Sequence, residues 1–292
     1  MDTDPTLLRD TRGILVESIW WDARTDELVW VDITAGTLHR GPLDGAPDGG
    51  DDRVVRLPPP VSAVQPAAGG GYVATLEDSV VMLDAAGAIT RTIAAVEHAH
   101  RGMRFNEAKV DPFGRLLVGS MDVTDGSPDG ALYSVAPDGS VRTLRGGFAV
   151  TNGIEWSDAG DVMYVTDTST LTVYRGAYGP DGELRELEPF LTGRSSDGLA
   201  RAIDGSFLNG LYGEGRVVRW DGAGGIADEW TLPAPNITSV AFGGPAYDIL
   251  LVGSARENLD EDQLARHPRS GAIFRIDGVG RGSAPHVFAA RP

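Results

Sequence analysis

The stretch Leu116-Leu117-Val118-Gly119, entered through a turn at Gly114 and followed after a second turn by Ala131-Leu132-Tyr133-Ser134, decides the fold. Short apolar or β-branched runs bounded by glycine turns read as strands. Working outward, the same succession of short strand, Gly-containing turn, strong strand, second turn and third strand occurs six times. The strong second strands are Leu28-Val29-Trp30-Val31, Tyr72-Val73-Ala74-Thr75, the quoted run, Val162-Met163-Tyr164-Val165, Phe207-Leu208-Asn209-Gly210 and Ile249-Leu250-Leu251-Val252. The third strands are Thr37 to Arg40, Val80 to Leu83, Ala131 to Ser134, Leu171 to Tyr174, Val217 to Trp220 and Ala272 to Arg275. One small sheet cannot bury both faces, so repetition at about 45 residues with four strands per unit specifies a propeller. The expectation is an all-β chain, a six-bladed β-propeller with four-stranded blades around a central channel, as a single domain over residues 1–292. A helix-like stretch near Asn258 to Arg266 is an excursion within the last blade. Either Thr6 to Arg9 or His286 to Ala289 is expected to complete that blade.

Composition narrows the function. With 25 Lys+Arg against 42 Asp+Glu, a formal net charge of −17, the chain repels phosphate backbones and anionic lipid surfaces, which disfavours nucleic acid and membranes as partners. The absence of cysteine excludes a disulfide framework, a thiolate metal site and a cysteine nucleophile. Any metal must rest on oxygen or imidazole. Met1 to Asp10 is polar with no apolar signal region, and no later run is long enough to span a bilayer, so a cytoplasmic protein is expected, a monomer or a small homo-oligomer.

The repeat also fixes a phase. Counting back from each second strand, the equivalent first-strand positions are Glu17, Ser62, Asn106, Asn152, Asp197 and Thr238, at intervals of 45, 44, 46, 45 and 41 residues. First strands line the channel of a propeller, so these six side chains are expected to point toward one axis. Asn and Asp also favour strand ends and turns for local reasons, but four acids and amides at one phase are not required by β-packing. Carboxylates and amides are hard oxygen ligands suited to calcium, magnesium or manganese, with zinc and ferrous iron also compatible.

The run Arg104-Phe105-Asn106-Glu107-Ala108-Lys109-Val110-Asp111-Pro112-Phe113-Gly114-Arg115 resembles the R-F-N-D-G-K-x-D-P-x-G-R motif of the senescence marker protein, gluconolactonase and regucalcin family. Thr151-Asn152-Gly153-Ile154-Glu155-Trp156-Ser157, Ser196-Asp197-Gly198-Leu199-Ala200 and Ser270-Gly271-Ala272-Ile273-Phe274-Arg275-Ile276 resemble its later motifs, in order. The resemblance implies a lactonase: one divalent ion on Glu17, Asn152 and Asp197, a small sugar lactone as substrate, and an aldonic acid as product. It further implies that Asp197 is the general base and that Arg104 and Asn106 contact substrate, with Glu107 beside them. Three ligands leave coordination positions open, the mark of a catalytic metal.

The chain departs from the family where Glu107 and Ala108 replace Asp and Gly. In the fifth blade, Arg201 and Asn209 are polar where apolar residues are usual, and Leu208 stands at the Trp position. These departures bear on substrate range, so organophosphates and non-sugar lactones stay open as substrates, as does a calcium-binding propeller without turnover. His98 and His100 read as loop residues rather than a metal pair. Phe105 and Met121 fit core packing or an apolar substrate wall equally well, and Trp20, Trp21, Trp156 and Trp220 fit packing between blades. No G-x-S-x-G elbow is present, which disfavours a serine hydrolase.

Overall fold

Each apolar run finds its antiparallel neighbour across the next turn, so the chain folds into hairpins stacked side by side. The computed structural model describes residues 3–290. Its strands form six four-stranded antiparallel sheets, the blades of a six-bladed β-propeller. Five blades take their strands in chain order, starting from Val16–Asp22, Val61–Pro66, Met103–Val110, Thr151–Trp156 and Ser196–Arg201. The sixth runs from Asn236–Gly243 through Ile249–Ala255 and Ile273–Asp277 and takes Thr6–Arg9 as its last strand. The amino-terminal segment therefore completes that blade. His286 to Ala289 does something else, pairing through Phe288 with Ala67 of the second blade.

Two third strands start one residue later than the sequence reading. Leu171 is in the left-handed region at the end of a 3-10 turn, Thr168–Thr170, so the strand begins at Thr172. Ala272 precedes Ile273–Asp277. The expected excursion is a short helix, Glu261–Arg266, in which Asp260 accepts from the Gln263 amide while the Gln263 side chain returns to the Asp260 amide. This reciprocal cap satisfies two amides that a helix start otherwise leaves open. Among the described residues no helix is long and apolar enough to cross a membrane.

The chain packs as two compact units. One contains the described residues through Arg56 with Ser195–Ala284, and so the first, fifth and sixth blades. Its core has one cluster around Trp21, Trp30, Leu28 and Leu251 and another around Leu208, Phe242 and Phe274. Arg9 is fully buried here: its guanidinium donates to Asp52 at 3.2 Å, to the Leu8 and Gly45 carbonyls at 3.0 Å each, and to the Pro42 carbonyl. It thereby ties the last strand of the sixth blade to the end of the third strand of the first blade and the loop that follows it.

The other unit holds Leu57–Arg194 and the described residues from Pro285 onward, with the second to fourth blades. Met82, Phe105, Val118 and Phe288 form one cluster and Leu132, Ile154, Trp156 and Met163 another. Gly114 is required on two counts. Its φ of +83° is a left-handed turn conformation, and a Cβ there would lie 2.8 Å from Cβ of Ala289, whose amide donates to the Gly114 carbonyl.

Candidate functional site

The first strand of every blade breaks register with its neighbour once. The breaks lie between Glu17 and Trp20, Val61 and Ala63, Phe105 and Ala108, Asn152 and Ile154, Ser196 and Leu199, and Ile237 and Val240. All six positions counted from the sequence, Glu17, Ser62, Asn106, Asn152, Asp197 and Thr238, fall at or inside these breaks, and all six are buried. A bulge leaves a residue out of the ladder and re-aims its side chain. The spacing of the repeat is therefore also the spacing of the bulges.

In the unit that holds the first, fifth and sixth blades, Glu17 and Asp197 are 8% and 4% exposed. Both carboxylates act on the phenol of Tyr212. Burial raises that hydroxyl to about 12, and the negative charges of Asp197 and Glu17 add to the shift while the Asn258 hydrogen bond opposes it. Tyr212 thus stays protonated and donates to the Glu257 carbonyl at 3.3 Å while accepting from Asn258 at 2.9 Å. The bulge of the first blade is held by Ser239, whose hydroxyl accepts from the Ile19 amide at 3.0 Å, and by Thr238, which donates to the Val16 carbonyl at 2.5 Å.

Asn209 has the corresponding role around Asp197. It is fully buried; its amide nitrogen donates to the Gly198 carbonyl at 2.8 Å and its oxygen accepts from the Ser196 hydroxyl at 2.7 Å. One side chain therefore grips the residues on both sides of Asp197. Asn209 pairs in register with Leu199, as Val165 pairs with Ile154 in the fourth blade, so the polar departure noted in the sequence sits where an apolar residue otherwise packs. Leu208, the other departure, is buried in the apolar cluster.

In the unit that holds the second to fourth blades, Arg104, Asn106 and Asn152 form one chain of hydrogen bonds. Arg104 donates to the Asn106 side-chain oxygen at 2.6 Å, and the Asn106 amide donates to the Asn152 oxygen at 2.7 Å and to the Thr151 carbonyl at 2.9 Å. Asn152 in turn donates to the Thr168 hydroxyl at 2.8 Å, which fixes its oxygen as the acceptor end. Both amide hydrogens of Asn106 are committed, so it retains only acceptor capacity toward a ligand. Glu107 lies inside the same bulge. Burial raises its carboxyl to about 7, with the Lys109 charge and the Ala108 amide pulling it down and Glu155 pushing it up.

The structure thus joins Arg104, Asn106 and Asn152 by hydrogen bonds in one unit, and in the other it buries Glu17 and Asp197 where the charge of each acts on Tyr212. Sequence reading missed Tyr212, Thr168, Ser239 and the positioning role of Asn209; a tyrosine or threonine one strand away carries no signature in a strand pattern. His98 and His100 go to separate partners, the Glu77 carbonyl at 3.1 Å and the Arg101 carbonyl at 2.7 Å, as expected of loop residues. Phe105 is fully buried and edge-on to Tyr133, in the core. Among the described residues no three His, Asp or Glu side chains gather as a metal-binding group. The expected donor set, two carboxylates and an amide, is of a different kind.

Comparison with known proteins gives a consistent picture. A family model described as SMP-30/Gluconolactonase/LRE-like region matches residues 15–256. The chain is 32% identical to 6-deoxy-6-sulfogluconolactonase of Pseudomonas putida, over 95% of this chain and 96% of that protein. It is 31% identical to regucalcin of Homo sapiens, over 94% of each. Among solved structures, a calcium-binding protein, regucalcin, of Agrobacterium tumefaciens superposes with a TM-score of 0.89 at 29% identity, covering 97% of this chain and 96% of that one.

Proposed function

The chain belongs to the SMP-30/gluconolactonase/LRE-like family, and from that premise we propose that it hydrolyses a small sugar lactone to the hydroxy acid. The observation that carries the reading is the near full-length likeness to a protein named as a sulfogluconolactonase. A divalent metal is part of the proposal. Glu17 and Asp197 are buried carboxylates whose fields meet at Tyr212, and the Asn152 oxygen is fixed as an acceptor by the Thr168 contact. Such hard oxygen donors fit a divalent cation and suit calcium or magnesium better than a thiophilic metal. Asn152 enters as the third ligand on its phase in the repeat and its family motif. A bound ion would supply charge to polarise the lactone carbonyl.

In this proposal Asp197 accepts the proton of the attacking water and returns it to the ring oxygen as the ester C–O bond breaks. Asn209 holds that carboxylate by gripping Ser196 and Gly198 on either side of it. Glu17 neutralises the cation. Arg104 directs its guanidinium at substrate oxygens, with Asn106 holding it in place. Glu107, whose carboxyl is raised to about 7, faces substrate in either protonation state near neutrality. The protein acts as a monomer or a small homo-oligomer in the cytoplasm.

Initial rates on aldonolactones, aryl lactones and phosphotriesters, each with calcium, magnesium, manganese, zinc or ferrous iron, test the reading. Aldonolactone hydrolysis that depends on added metal is expected. Tight calcium binding with no turnover of any ester would contradict it and favour the calcium-binding alternative that the regucalcin structure represents.

A further inference from the structure

In the unit that holds the first, fifth and sixth blades, the loop entering the first blade and the segment around the short helix border an open surface cavity of about 170 Å³. It is lined by Arg12, Arg256, Leu264, His267, Pro268 and Ser270. In a chain of net charge −17, two arginines on one small cavity would ordinarily be matched by acids. Among the described residues, neither Arg12 nor Arg256 has a carboxylate within ion-pair distance, and the nearby Asp10 is taken by Arg269 at 2.7 Å. Ser270, one of the lining residues, is only 2% exposed, and its buried hydroxyl has no hydrogen-bond partner among the described residues. Buried polar groups are nearly always satisfied, so the Ser270 hydroxyl keeps hydrogen-bonding capacity for a partner outside the chain.

The cavity is also braced. Arg12 adopts a left-handed φ of +51°, a conformation unfavourable for a long side chain that persists where surroundings enforce it. The enforcement comes from its neighbours: the Thr11 hydroxyl donates to the Gly271 carbonyl, and the Gly13 amide donates to the same carbonyl at 2.9 Å. On the other side the Arg256 amide donates to the Ile14 carbonyl at 2.9 Å. Both arginines are thus anchored by backbone that is itself tied together.

We propose that this cavity binds an oxyanion of the phosphate or sulfate type, either free or as a substituent on a small molecule. Guanidinium forks match such oxygens in geometry and charge. The Ser270 hydroxyl and His267 ring supply further contacts, and Leu264 and Pro268 close the remaining wall. Both sources of the anion are compatible with the fold. Arg256 is followed by Glu257, whose carbonyl accepts from Tyr212, so the segment that lines the cavity also touches the tyrosine on which the charges of Asp197 and Glu17 act.

Calorimetric titration of the full chain with inorganic phosphate, against chloride at matched ionic strength, tests the site without requiring turnover, so its outcome is separable from that of the lactonase reading. One saturable site per chain is expected. Binding should be at least about tenfold weaker in Arg256→Gln, consistent with the strength of a charge-assisted contact, and weaker also in Ser270→Ala, which preserves the charges. No saturable binding beyond chloride, or wild-type binding in a folded R12Q/R256Q variant, would overturn the proposal. Initial rates on gluconolactone with and without a 6-phosphate then assign the source. A variant that loses its preference for the phosphorylated lactone while keeping its rate on the plain one identifies a substrate substituent; an unchanged preference alongside lost phosphate binding identifies a free anion.

Discussion

Replacing Asn209 by leucine keeps the volume of a fully buried side chain and deletes only its polar end. The Gly198 carbonyl then loses its donor at 2.8 Å and the Ser196 hydroxyl its acceptor at 2.7 Å, both in the interior. A buried polar group stripped of its partner costs about 1–3 kcal/mol, so two of them imply a loss of roughly 2–6 kcal/mol. That is a large fraction of the total for a marginally stable fold, typically about 5–15 kcal/mol. Urea unfolding measures it as a shift in midpoint at unchanged slope. Adding Ser196→Ala should return part of the loss, because the hydroxyl is no longer stranded, and this non-additivity identifies the hydrogen bonds rather than packing as the cause. Because Ser196 and Gly198 flank Asp197, kcat should fall in N209L more than KM rises. A variant as stable as the wild type would refute the reasoning, since leucine would then serve equally well at this position.

Three further outcomes follow from the same structure. Glu107 has a folded pKa raised above its ordinary value, to about 7, so its ionisation opposes folding from about pH 4.5 upward and most fully above 7; Glu107→Gln should raise the melting temperature at pH 8 and leave it near wild type at pH 4. Arg9→Ala strands the buried Asp52 carboxylate and three carbonyl contacts and should cost about 3–5 kcal/mol in denaturant unfolding, as breaking a buried pair does. If the proposed ion is held there, its removal with a chelator should lower the melting temperature reversibly, because two buried carboxylates, Glu17 and Asp197, whose charges both act on Tyr212 lose their counter-charge; an unchanged melting curve would argue against an ion there.

The blades were legible because each strand is short, apolar and closed by a glycine turn, and those signals are local. Counting phase across blades found all six bulge positions without any knowledge of the bulges, since equal spacing in the chain becomes equal placement in the repeat. Closure by Thr6–Arg9 is not decided by strand pattern, because both chain ends carry comparable strand-like runs and pairing depends on contacts across 264 to 269 positions. Asn209 was visible only as an anomaly: its identity announced a polar group in an apolar place, while its purpose lies in two atoms of Ser196 and Gly198 that no strand pattern specifies. The cavity at Arg12 and Arg256 was equally hidden, because residues 244 positions apart meet there through the blade that joins the two ends of the chain.

In the proposed mechanism Asp197 is the carboxylate that moves the proton during lactone opening. The most direct test is the turnover number of Asp197→Asn on an aldonolactone at saturating metal, with occupancy checked by metal analysis. The variant keeps an oxygen ligand and similar size but cannot accept the proton, so kcat should drop by at least about 10²-fold, the lower range for loss of a general base. A kcat near wild type with the metal site filled would contradict the account and leave Asp197 as a ligand alone.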